Sequence, residues 1–425
     1  MKHAAIPFAI AVSLALFISG QGFSQSAEHE AAITTAAAPV AYVYVPTPNG
    51  IYAYDASSTG KLTLVAGSPF RQTVGLAIGS TGKYFITLGT TWVHAYAIKP
   101  NGAIGKQVSR INTLNHGGGD CEYSPDNVFV GTDGAVLDHA GQNVYVFMWA
   151  TDGGGDGCAA YQTYNIASNG DLIFNTSSEW YTPSPQERAG GLLLTGSNEL
   201  GYAFLWHWGD SETPYYGLYG YKRGSQGGLE GIHFTETDPE AKPGYGYDAC
   251  GDCSIAVDSM AADGNNHLAV AITSQLVENP YGGEGSTQLA SYSVDKNGNI
   301  SSINTWKNMP TLIETCPCSV CGYPSCTRNE MVISPAGNLL ALATGTGVQF
   351  FHFNGAKPIT RYTGIVGKSG YISHMSWDRS NHLYAVNGAS GRLHVYQVTP
   401  TIEKEVAGSP YTLPGGATNV FAVSK

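Results

Sequence analysis

Tyr54-Asp-Ala-Ser-Ser-Thr-Gly60-Lys-Leu62 decides the fold, because it reads as a β-hairpin and because its spacing recurs. An aromatic residue closes an alternating strand, Thr-Gly supplies the positive φ of a tight turn, and an aliphatic residue opens the returning strand. The same aromatic, glycine and aliphatic phase returns at Tyr96/Gly102/Ile104, Tyr164/Gly170/Leu172, Tyr221/Gly227/Leu229 and Tyr292/Gly298/Ile300. A sixth copy, Phe351/Ile359, keeps the aromatic-to-aliphatic spacing without the glycine. Recurrence of one turn phase along a whole chain marks a repeat architecture.

Working outward, most copies are preceded by a second hairpin. Leu76 to Leu88 turns at Thr81-Gly82, Ala135 to Met148 at Ala140-Gly141, and Met331 to Ala343 at Pro335-Ala-Gly337; Leu192 to Trp206, Ile255 to Ile272 and Ile372 to Val386 read the same way. Two hairpins make the four antiparallel strands of a propeller blade. Six such units start near residues 74, 133, 190, 254, 331 and 372, and a seventh is shared by the termini: Asn419 to Val423 gives one strand and Ala41 to Val65 three. The connection Val65-Ala-Gly-Ser-Pro-Phe70 recurs as Val406-Ala-Gly-Ser-Pro-Tyr411. The reading is therefore an all-β chain, a seven-bladed β-propeller of four-stranded antiparallel blades closed by N- and C-terminal strands that share one blade.

Composition agrees. The 425 residues include 54 Gly and 26 Tyr with only 12% charged residues, against about 25% charged in ordinary domains, which excludes a disordered chain or a coiled coil. The net charge of −11 is spread without runs of either sign, so no nucleic-acid partner is expected. Lys2 and His3 precede an apolar stretch from Ala4 to Ile18, followed by small residues at Gly22 and Ser24. This reads as a signal peptide over residues 1–24, too short in its apolar part to span a bilayer. A mature leader over 25–40 and a single propeller domain over 41–425 follow, and the expected location is periplasmic or secreted, with no membrane span in the mature chain.

An exported chain with an even cysteine count is expected to form disulfides. The cysteines are Cys121, Cys158, Cys250, Cys253, Cys316, Cys318, Cys321 and Cys326. The last four fall within eleven residues, a density that also suits zinc or an iron–sulfur cluster. No cofactor is expected; Asp152-Gly-Gly-Gly-Asp156 and His116-Gly-Gly-Gly-Asp120 are the segments that could wrap a calcium ion or another cation, although neither has the full EF-hand spacing.

Without the 24 residues read as signal peptide, the 425-residue chain averages about 57 residues per blade, above the roughly 40–50 of compact propeller repeats. The surplus lies in links between hairpins and between blades: Asn112 to Thr132, Ala150 to Gly157, Tyr181 to Ala189, Glu230 to Asp252, Ser274 to Thr287 and Thr305 to Asn329. Strand alternation sends all of them to one face. There the innermost strands begin, and Asp133, Arg188, Asp252, Glu330, His374 and Asn419 converge on the channel mouth. His374 or Glu330 is a candidate base and Arg188 a candidate oxyanion stabiliser; alternatively these groups hydrate the channel and satisfy backbone ends. Trp149, Trp180, Tyr181, Trp206, His207, Trp208, Tyr215 and Tyr216 lie in or beside the loops of the second and third units, where rings stack on sugars or fill a β core.

The hairpin repeat, the Val-Ala-Gly-Ser-Pro-Phe connection and the Ser334-Pro-Ala-Gly337 turn resemble those of the lactonase-type, 6-phosphogluconolactonase-like, seven-bladed propeller family over roughly residues 41–425. Enzymatic members tend to carry a Pro-Arg-His step at the start of an inner strand. Arg188 matches the arginine of that step with Ala189 in place of its histidine, Glu330 takes the histidine slot in the fifth unit, and His374 has histidine there in the sixth. The resemblance implies an exported hydrolase of a sugar-derived lactone or related carbohydrate, catalysed through Arg188, Glu330 and His374. The alternative is a non-catalytic propeller that binds carbohydrate or a protein partner through its aromatic, disulfide-stapled face.

Overall fold

The computed structural model describes residues 38–73, 75–116, 128–151, 157–182, 188–208, 214–235, 256–275, 285–304, 308–310, 312, 330–355, 357–367 and 370–425. Residues 1–37, where a signal peptide and most of a leader are expected, fall outside them, as do the cysteines other than Cys158. From Ala38 to Lys425 the chain forms seven sheets built on four antiparallel strands. Among the described residues the helical structure is one 3-10 turn, Thr113–His116. No helix there is long and apolar enough to cross a membrane.

The innermost strands of the first six blades are Leu76–Ser80, Val128–Leu137, Arg188–Leu194, Ala256–Ala262, Met331–Ile333 and His374–Trp377. The closing blade has Phe421–Ser424 innermost, followed outward by Ala41–Thr47, Gly50–Ala56 and Leu62–Leu64. Tyr44 pairs with Phe421 and Ala41 with Ser424. Each innermost strand touches the next, and Phe421–Ser424 touches both His374–Trp377 and Leu76–Ser80. The ring is closed through the termini, and each blade keeps only short edge strands.

Seven apolar clusters hold the blades together, one at each joint. Because a blade is covered on both faces, its second strand buries consecutive residues rather than alternate ones; Ala41 to Pro46 are all buried. The repeat aromatics Tyr54, Tyr96, Tyr164, Tyr221, Tyr292 and Phe351 belong to this core. The repeat glycines have φ from +78° to +95°. Their turns dock on the preceding blade: Tyr44 Oη donates to the Gly102 carbonyl at 3.0 Å, Tyr145 Oη to Gly227 at 2.9 Å and Tyr202 Oη to Gly298 at 2.7 Å. The repeated glycine thus answers a backbone requirement and an inter-blade contact together.

Gly227 shows the consequence. A Cβ there would lie 2.5 Å from the Asn143 amide, which Asn165 and Arg223 hold in place. Gly227→Ala is expected to cost about 2–4 kcal/mol in denaturant unfolding; a loss below about 0.5 kcal/mol would show that the turn yields and the interlock is not rigid. In the fifth blade the glycine absent from the expected position is replaced by Gly355, φ +54°, whose Cβ position faces the His267 ring at 2.7 Å. The two Val-Ala-Gly-Ser-Pro connections adopt one conformation. Gly67 and Gly408 both have φ +93°, and Ser68 N–H and Ser409 N–H donate to the Val65 and Val406 carbonyls at 3.1 and 3.0 Å.

Two expectations need correction. The second inner strand starts at Val128, not near 133, so Asp133 lies inside it, in a register irregularity between Val130 and Ala135. The aromatic stretches of the second and third blades, expected in or beside loops, lie in strands: Asn143–Thr151 pairs with Gly157–Ile166 to Thr151/Gly157, and Leu200–Trp208 pairs with Pro214–Arg223 to Trp208/Pro214. Aromatic residues suit a strand ladder, and the hydrogen bonding runs through them. The links are correspondingly shorter, and the strand ends they join lie on one face.

Candidate functional site

The mouth of the ring is where inner strands begin, and two candidate side chains meet there. Glu330 immediately precedes Met331–Ile333 and His374 opens His374–Trp377, so neighbouring blades deliver them to one joint. Glu330 Oε1 is 3.8 Å from His374 Nδ1, with about a third of each side chain exposed (30% and 32%). Glu330 Oε2 accepts the Met375 backbone N–H, and the Glu330 carbonyl accepts Ala343 N–H at 2.8 Å.

Comparison with the adjoining joints shows what is unusual about this one. Ser259 Oγ accepts the Met331 N–H at 2.9 Å, and Ser376 Oγ accepts the Ala422 N–H at 2.9 Å. A serine therefore suffices to stitch one inner strand to the next. At the fifth-to-sixth joint the stitch is a carboxylate, which spends one oxygen on the backbone and keeps the other beside an imidazole at the water-exposed mouth. A structural role alone requires only one acceptor.

The other candidates are distributed as follows. Arg188 is the first residue of its inner strand and lies directly opposite Trp206, which lies opposite Tyr216 on the next strand. His207 pairs with Tyr215 in the adjacent row. Trp180 lies opposite Ala159 and Cys158 opposite Tyr181 in the second blade. For these residues the backbone position is described. Asn419 precedes the closing inner strand, its Oδ1 accepting the Val420 N–H at 2.7 Å. Asp252 and the Asp152–Asp156 segment lie outside the described residues. Of the His116–Asp120 segment, His116 is described: its ring stacks on Phe174 with centroids 4.1 Å apart, and burial lowers its pKa. Among the described residues no group of three His, Cys, Asp or Glu side chains could hold a metal.

The far face carries polar groups that sequence reasoning passed over. Asp378 is fully buried; Oδ1 accepts Ser380 N–H at 2.8 Å and His382 N–H at 2.9 Å, and Oδ2 accepts His382 Nδ1 at 2.8 Å and Tyr384 Oη at 2.9 Å. Asp263 binds Asn265 N–H, His267 N–H and His267 Nδ1 in the same manner. Both are Asp-x-x-x-His turns between a first and a second strand, and that repeated spacing was the available signal. Their histidines face the repeat turns of the following blades, so they belong to the blade interlock rather than the mouth.

No protein-family model and no curated protein matches the chain. Solved structures do match in fold. A protein from Lactobacillus plantarum is 15% identical, with 90% of this chain and 99% of that one covered at a TM-score of 0.57. A candidate 6-phosphogluconolactonase from Bacteroides fragilis is 13% identical, with 90% and 98% covered at a TM-score of 0.50. At such identities the likeness is one of architecture.

Proposed function

We propose that the chain is an exported propeller of the lactonase type that hydrolyses a sugar-derived lactone or related carbohydrate ester at the channel mouth. The observation that carries this reading is the spare Glu330 oxygen beside His374, on a joint where its neighbours use serine. His374 takes a proton from water as the water oxygen attacks the lactone carbonyl, and Glu330 steadies the imidazolium. Arg188 stabilises the oxyanion. Collapse of the tetrahedral intermediate breaks the acyl C–O bond, the ring oxygen takes the proton back from His374, and a hydroxy acid leaves. The 3.8 Å separation is an ion-pair distance that closes to a hydrogen bond with substrate in place, as unliganded sites commonly require. The test is hydrolysis of a panel of sugar and aliphatic lactones, with variants at these residues as controls.

A second reading, carbohydrate or protein binding without turnover, is favoured by the Arg188, Trp206 and Tyr216 row on three adjacent strands, with His207, Trp208 and Tyr215 on the same strands and Trp180 on the outer strand of the second blade. Trp206→Ala would then weaken retention on an immobilised glycan about tenfold or more, and a wild-type protein retained by no glycan or partner would count against it.

Export and cysteine pairing form part of the proposal. Thiol titration of the non-reduced, denatured mature protein is expected to find no free thiol, and titration after reduction to find all eight cysteines. Free thiols before reduction would overturn the disulfide assignment.

A further inference from the structure

The closing and first blades form an open cleft of about 470 Å³ at the mouth face, within the range of roughly 300–1,000 Å³ typical of small-ligand sites. Three segments build it: the turn from Pro46 to Ile51 of the closing blade, the connection through Arg71 and Thr73 to Gly75, and Thr418 before the last strand. The two connections are continuations of the duplicated Val-Ala-Gly-Ser-Pro segments. The cleft lies at a different joint from Glu330 and His374.

Its chemistry is specific. Among the described residues lining it, Arg71 is the one that carries a charge. The Arg71 side chain is exposed, with no ion-pair partner among the described residues, and its stem lies over Gly50, where a Cβ would be 3.2 Å from Arg71 Cγ. Thr73 and Thr418 hydroxyls donate to the Phe70 and Pro46 carbonyls at 3.4 Å, long bonds that a ligand can replace. Leu76, 45% exposed and one of four large apolar side chains in the open among the described residues, also lines it. A guanidinium fork suits a carboxylate or phosphate, hydroxyls suit a polyol, and an exposed leucine suits the C–H face of a sugar. In a chain of net charge −11, a cavity with a cation and no carboxylate among its described lining residues favours anions locally over the rest of the surface.

We propose that this cavity is a binding site for a small acidic sugar, held through its carboxylate or phosphate by Arg71 and through its hydroxyls by Thr73 and Thr418. The assignment does not depend on the hydrolytic reading and does not involve the residues of the mouth pair.

Calorimetric titration of the purified protein with gluconate, glucose 6-phosphate and glucose tests it. Saturable binding of gluconate or of glucose 6-phosphate is expected, the better of the two identifying the head group, with glucose weaker by about tenfold or more. Arg71→Ala should weaken the anion about tenfold or more without moving the melting temperature, and Arg71→Lys, which keeps the charge but not the fork, should fall between. Lys83→Ala, which removes an exposed cation on the other face, should leave binding unchanged. Equal affinity in wild type and Arg71→Ala, or no binding of either anion up to about 10 mM, would overturn the site whether or not the protein hydrolyses lactones.

Discussion

His374→Ala is expected to lose about 10²–10⁴-fold of lactone turnover, the usual contribution of a positioned general base, while melting within a few degrees of wild type. The side chain is about a third exposed, and its described polar neighbour is the Glu330 carboxylate, so its removal empties no core position. Glu330→Gln is the sharper variant. Glutamine still offers an oxygen to the Met375 N–H, so the stitch between blades survives, and what disappears is the negative charge beside His374. Turnover should fall about tenfold or more with stability unchanged. A fall in both turnover and stability would assign Glu330 to the stitch alone, and unaltered turnover in both variants would remove the pair from the mechanism.

Asp378→Ala carries the largest expected cost in stability, about 3–5 kcal/mol, because a buried acceptor of four donors is lost and three of those donors, on His382 and Tyr384, stay buried. Burial by itself would raise the Asp378 pKa, but hydrogen bonds from the His382 ring and backbone and from Tyr384 outweigh it and hold the carboxyl below the usual range. A carboxyl with a depressed folded-state pKa stabilises the fold fully above its unfolded value, near 3.9, and loses that contribution as the pH falls through the folded value. The gap in melting temperature between wild type and Asp378→Ala should therefore be widest near neutrality and narrow below about pH 4. A gap that does not change on acidification would mean that the charge is immaterial to the turn. Tyr384 responds to the same network from the other side: burial first, then the Asp378 charge, pushes its hydroxyl well above the ordinary phenol range, which keeps it a donor to the carboxylate at neutral pH.

These two sites differ in how far they could be read in advance. The blades were legible because the repeat is a local requirement: a glycine where φ must be positive, and an aromatic residue where two blades meet. Closure was legible from the short terminal strand and the duplicated Val-Ala-Gly-Ser-Pro connection. That Glu330 and His374 stand at one mouth followed from their equal place at the start of inner strands. What could not be read is that one Glu330 oxygen is spent on Met375, since that bond depends on the offset between two blades. Strand length in the second and third blades was misjudged because aromatic residues serve a ladder and a binding loop equally well. The Asp-x-x-x-His turns were within reach, as the same spacing occurs at Asp263/His267 and Asp378/His382. The Arg71 cavity was not, because its walls come from opposite ends of the chain and meet only when the ring closes.

The most direct test of the mouth pair is the initial rate of hydrolysis of sugar and aliphatic lactones by the purified, oxidised mature protein, compared with its Glu330→Gln variant. Saturable turnover by the wild type that the variant loses while keeping its melting temperature is the predicted result. No turnover on any lactone, or turnover that Glu330→Gln leaves intact, would contradict the hydrolytic assignment and direct attention to the aromatic rows of the second and third blades.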